Sequence, residues 1–222
     1  MPPARRRRTD TPTGDSEIVQ PPSTYIDLDS CFEILQRGKR LLRIYAPGRY
    51  GAAPARFRTR GPYKRFDHQR ADVDSLPRVD SQRGILYAGP TFIGCTGEYF
   101  GDTGEITRQG NRLARLSVLK PIKLLDLRAT AATGAGTIPA ISGISQRATT
   151  QAWARWWYTH PQLNDADGLI YTAANSGHDA IALWERARGK ITCHAHNHWG
   201  LDDPQLADDV HLAASKLHLT VT

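Results

Sequence analysis

The chain has 222 residues, 40% hydrophobic and 23% charged, with a formal net charge of +7. That length suits one domain with a real core, and no apolar run approaches the ~18 residues that cross a membrane. No apolar stretch follows the basic N-terminus as a secretory leader requires, so a cytoplasmic protein is expected.

Cys31, Cys95 and Cys193 are odd in number, far apart and without a CxxC pair. Neither a disulfide framework nor a zinc finger fits them. The charge is unevenly spread. Arg5 to Arg8 form one run, and Arg37 to Arg70 hold eleven Lys or Arg against a single acid, Asp67, a local excess of +10. The rest of the chain sums to −7. A basic segment on an acidic body points to a phosphate-bearing partner, either a polyanion or a small ligand.

In chain order, residues 1–22 are rich in Pro, Thr and Arg and read as a disordered basic tail, with a single domain over 23–222. Residues 25–37 suggest a short helix capped by Asp29 or Ser30. Leu41 to Tyr45 reads as a strand ended by Pro47-Gly48, and residues 49–83 as a long polar loop. Gly84 to Ala88 is a second strand, after which Thr91 is the N-cap of a helix running to Phe100 and stopped by Gly101 and Gly104.

Two strands follow at 112–120 and 123–127, broken at Pro121, and then an Ala/Gly/Thr-rich loop at 129–144. Ser145 to His160 reads as a helix that places Trp153, Trp156 and Trp157 on one side, most simply as core. Strands at 168–172 and 180–185, a helix at 204–217 and a last short strand to Val221 complete the chain. Strands and helices without strict alternation indicate an α+β fold.

Three segments carry candidate chemistry. Arg43 lies inside a strand, Tyr87 lies in the next with Glu98 eleven positions later, and Asp167 to Gly177 runs from a strand through Tyr171 into a polar turn holding Ser176. Taken singly, each has a plain structural role: Arg43 a cross-sheet ion pair, Tyr87 packing beside Ile85. Glu98 sits among Cys95, Gly97, Tyr99 and Phe100, and an ionised group in apolar company needs a partner.

Together these segments resemble the RES domain family, over roughly residues 40–190. Arg43, Tyr87 and Glu98 match the family's arginine, tyrosine and glutamate, and Arg65-Phe66 resembles a second Arg-Phe element before the tyrosine strand. Where the family has a serine soon after the strand tyrosine, this chain has Ala173, and Ser176 follows three positions on.

The resemblance implies an α+β fold like that of ADP-ribosyltransferases, a mixed sheet core flanked by helices. It implies a toxin of a toxin–antitoxin pair, with an Xre-type antitoxin protein as partner and NAD as substrate. Glu98 would stabilise the ribose cation or orient the attacking group, Arg43 would hold the diphosphate with Arg65 second, and Tyr87 would contact the ribose or nicotinamide. Tyr171 and Ser176 would complete the substrate site. The expected reaction is cleavage of the nicotinamide–ribose bond by water or phosphate. ADP-ribosyl transfer to a protein is the alternative. A third reading, favoured by Ala173, is a catalytically inactive domain that binds protein or nucleic acid through its basic segment 37–70 or its tail. A homo-oligomer stays open.

No metal is expected. His194, His196 and His198 alternate as metal ligands on one strand face would, yet they equally suit an exposed polar strand or loop. The Gly-rich stretch at 133–136 lacks the spacing of a nucleotide cradle.

Overall fold

The computed structural model describes Pro21 and residues 31–222. The basic tail, apart from Pro21, and the first part of the helix expected at 25–37 therefore lie outside the described residues. The described strands are β1 Phe32–Leu35, β2 Arg40–Tyr45, β3 Arg60–Gly61, β4 Arg78–Val79, β5 Ile85–Ala88, β6 Glu105–Ile106, β7 Arg112–Val118, β8 Ile122–Asp126, β9 Gly168–Thr172, β10 Asp179–Trp184, β11 Ile191–Thr192, β12 His198–Gly200 and β13 Thr220–Val221. The helices are α1 Phe92–Phe100, α2 Ala131–Gly134, α3 Arg147–Thr159 and α4 Ala207–Leu217.

The larger sheet has five strands in the order β1-β8-β9-β10-β5, with β8 and β9 parallel and the other neighbours antiparallel. The second is built around β7, with β2 along one edge and β11 then β12 along the other. Leu42 and Gly89 exchange backbone hydrogen bonds of 2.7 and 2.9 Å, which ties the edge strand β2 of one sheet to the end of β5 in the other. This mixed α+β core flanked by helices is consistent with the ADP-ribosyltransferase-like fold that the resemblance implies.

Strand alternation assigns the faces. One face of the larger sheet, with Leu125, Leu169, Tyr171 and Trp184, packs on Trp153 and Trp157 of α3. Its other face, with Leu86, Leu124, Ile170 and Leu183, meets Leu41, Leu116 and Val118 of the second sheet. The second sheet turns Ile44 and Leu113 towards Phe100 of α1 and Val210 and Ala214 of α4.

The helix reading of 25–37 is corrected for its second part. Phe32–Leu35 pairs antiparallel with β8 from Phe32↔Leu125 to Leu35↔Ile122. Buried Cys31 and Leu35 sit four apart, which mimics a helical stripe. The edge of β8 needs a backbone partner, and that tertiary demand outweighs so short a local signal. The long polar stretch 49–83 holds only short elements, yet it is anchored: Phe57, Phe66, Asp67, His68 and Asp80 are all buried in it.

Candidate active site

The β2–β5–α1 junction encloses a cavity of about 720 Å³, within the roughly 300–1,000 Å³ of small-molecule sites. Arg43, Tyr87 and Glu98, reached from three separate elements, all line it. Thr91 accepts a hydrogen bond from the Gly94 amide at 3.1 Å and starts α1 directly after β5, which brings Glu98 beside Tyr87.

Arg43 shares the face of β2 that carries Leu41 and Tyr45, a position that normally holds an apolar side chain. It is 7% exposed. Its Nε and Nη1 atoms have no hydrogen-bond partner among the described residues. Burial, reinforced by the neighbouring Arg58 cation, lowers its pKa to about 10. Among the described residues Arg43 forms no ion pair, so the cross-sheet pair that the sequence allowed is not seen there. What remains is a guanidinium stripped of water, still charged at neutral pH, and lining a cavity. An anion entering the cavity would gain charge-assisted hydrogen bonds in a low-dielectric setting, where they are strong.

Glu98 lines both this cavity and a smaller one bounded by Lys64, Arg65, Asp102, Arg147, Ala174 and Asn175. Burial pushes its carboxyl above the usual carboxylate range, against the pull of Tyr171, Lys64 and Arg65. Among the described residues no salt bridge engages it. The Tyr171 hydroxyl faces Glu98 from β9, but no hydrogen bond of regular geometry closes between them. Burial keeps that phenol neutral.

One residue that sequence reasoning passed over organises the wall. Asp67 is fully buried and accepts hydrogen bonds from Arg58 Nη2 at 2.6 and 2.8 Å, from the Tyr63 and Lys64 amides at 2.5 and 2.9 Å, and from the Tyr87 hydroxyl at 3.0 Å. All four donors belong to cavity-lining residues. The Tyr87 hydroxyl also accepts from the Phe66 amide at 3.1 Å, so its polar end is committed to the protein. Its ring is what it offers a ligand. The available signal was that Asp67 is the lone acid of the basic segment. Four cations of that segment, Arg43, Arg49, Arg58 and Lys64, line the cavity.

The other expected site residues sit at the margin. Arg65 lines the smaller cavity and donates to the Ile144 carbonyl, while Phe66 beside it packs in the core. Ser176 lines neither cavity: its Oγ accepts from the His178 amide at 3.3 Å, and it packs on Gly97 of α1, where a Cβ would come 2.6 Å from the Ser176 Cβ. Ala173, which the resemblance sets against the family's serine, is 1% exposed and part of the core. Of the three histidines only His198 lies in a strand; His194 and His196 belong to the preceding turn and stack at 6.0 Å.

The RES domain pattern matches residues 40–203, about three quarters of the chain. The chain belongs to the RES domain family. That match contains Arg43, Tyr87, Glu98 and Tyr171. No curated protein sequence matches. The fold is similar to that of a chain in the crystal structure of the M. tuberculosis MbcT-MbcA toxin-antitoxin complex, with 14% identity and a TM-score of 0.51 over 81% of this chain and 92% of that one.

Proposed function

We propose that this RES domain is an NAD-consuming enzyme that breaks the nicotinamide–ribose bond, transferring ADP-ribose to water or phosphate. The observation that carries this reading is that one cavity is lined both by the buried Arg43 guanidinium, whose Nε and Nη1 have no hydrogen-bond partner among the described residues, and by Glu98, which makes no salt bridge among them. The diphosphate of NAD is an anion that suits Arg43. As the glycosidic bond breaks, positive charge builds on the ribose, and a carboxylate beside the sugar stabilises it or directs the attacking group. Glu98 fills that role. The Tyr87 face is left to pack against the sugar or the nicotinamide ring.

The described residues include no helix long and apolar enough to cross a membrane, and action in the cytoplasm, where NAD is abundant, is part of the proposal. So is a role as a toxin restrained by an Xre-type antitoxin, supported by the fold shared with a chain of a toxin-antitoxin complex. A second reading, an inactive domain that binds a partner, is favoured by Ala173 in the core and Ser176 outside both cavities.

Glu98→Gln separates the two. It should bind NAD in calorimetry without consuming it, whereas undiminished turnover in that variant would remove Glu98 from the mechanism. A wild-type protein that neither binds nor consumes NAD would favour the inactive reading.

A further inference from the structure

The cavity has a feature that bond cleavage does not use. Tyr50 and Tyr63, from two different loops, stack with ring centroids 4.8 Å apart and planes 22° apart, and both line the cavity. Tyr50 is 47% exposed. Its backbone has φ 52° and ψ 31°, the left-handed region that a bulky side chain seldom occupies, between Gly48 at φ 74° and Gly51 at φ 72°. Such conformations concentrate at ligand clamps and active sites. A half-exposed aromatic on a costly backbone gains little for the core, so its position calls for another reason.

Its surroundings are cationic. The Arg49 guanidinium lies 5.7 Å from the Tyr50 ring and that of Arg58 lies 5.3 Å from the Tyr63 ring. One face of each ring is taken by the other, so a planar base would stack on the outer face of half-exposed Tyr50, with the guanidinium groups taking the charge of an attached phosphate.

We propose that Tyr50 and Tyr63 form a stacking platform for a heteroaromatic base of the dinucleotide. This rests on the NAD reading above and names the part of the substrate that the Arg43–Glu98 end leaves unheld. The base is adenine or nicotinamide, and the chemistry of stacking is the same for both.

The test compares wild type, Tyr50→Gly and Tyr50→Phe. Glycine removes the ring while keeping the left-handed backbone, and phenylalanine keeps the ring. KM is measured for NAD and for nicotinamide mononucleotide, which lacks the adenine. Dissociation constants are measured by calorimetry on the same variants carrying Glu98→Gln. The platform predicts a roughly 5- to 150-fold rise in KM and Kd for NAD in Tyr50→Gly, restored by Tyr50→Phe. A parallel loss for the mononucleotide places nicotinamide on the platform; a loss confined to NAD places adenine there. Turnover by wild type with KM and Kd within about 2-fold in Tyr50→Gly overturns the platform alone. Absence of both binding and turnover in wild type overturns the dinucleotide reading and the platform with it.

Discussion

At Arg43 a charge occupies a core position of β2 and has no counter-ion among the described residues. Such a group costs stability and persists because something else gains from it. Arg43→Met, similar in length and apolar, should therefore leave thermal stability equal or higher while raising the KM for NAD on the order of 10- to 100-fold. A fall in melting temperature with an unchanged KM would make Arg43 structural.

Glu98 follows the same logic with a defined sign. Its pKa is raised in the folded state by burial, so folding favours the protonated form, and that contribution is lost as pH rises through the folded value. Glu98→Gln should therefore match or exceed wild type in melting temperature at pH 7, with the difference shrinking below the ordinary carboxylate range. Both residues were visible in the sequence as charges in apolar company. That neither has a close ionic partner was not visible, because partners are supplied by elements distant in the chain. Asp67 was visible as a lone acid, but the convergence of its donors exists only once β5 and the 57–67 segment have met.

The segment 57–67 forms one wall of the cavity and is held by Phe57 and Phe66 in the core and by the hydrogen bonds that converge on Asp67. Asp67→Asn keeps the shape but takes away the charge that balances Arg58 and leaves one amide hydrogen pair among donors. It should cost about 3–5 kcal/mol in urea unfolding, as expected for breaking a buried ion pair, and should weaken NAD binding as the wall loosens. A loss under about 1 kcal/mol would show that the wall stands without it.

The sequence conveyed α1 and α3 well because their signals are local: a threonine cap, a glycine stop, three tryptophans on one side. It conveyed β1 poorly because an edge strand of four residues is decided by its neighbour, β8. The small pieces β3 and β4 within the polar stretch escaped for the same reason, pairing only with each other.

Across the whole molecule, the far side of the 57–83 stretch is closed by Glu185. It accepts from Tyr158 at 2.5 Å and the Gly84 amide at 2.9 Å and pairs with buried His68 at 3.1 Å. Burial alone would raise the Glu185 pKa, but these bonds outweigh it and bring the value down to about 2. Burial also lowers the His68 pKa despite the neighbouring Glu185. Both shifts stabilise the fold above the unfolded values, about 6.5 for His and 4.5 for Glu, and both contributions are lost as pH falls through the folded values. The melting temperature should drop steadily below pH 6.5 towards pH 2, and in Glu185→Gln the drop should be less steep below pH 4.5, where the Glu185 contribution is lost. A flat profile in wild type would deny this network its part in closing the fold.

Four cations of the basic segment, Arg43, Arg49, Arg58 and Lys64, line the concave cavity, which suits a small phosphate-bearing ligand. The most direct measurement is to incubate the purified protein with NAD, in buffer with and without phosphate, and to separate the products by chromatography. Wild type should release free nicotinamide and Glu98→Gln none, with the ADP-ribose product naming the acceptor. NAD recovered intact from wild type under both conditions would contradict the NAD-consuming reading.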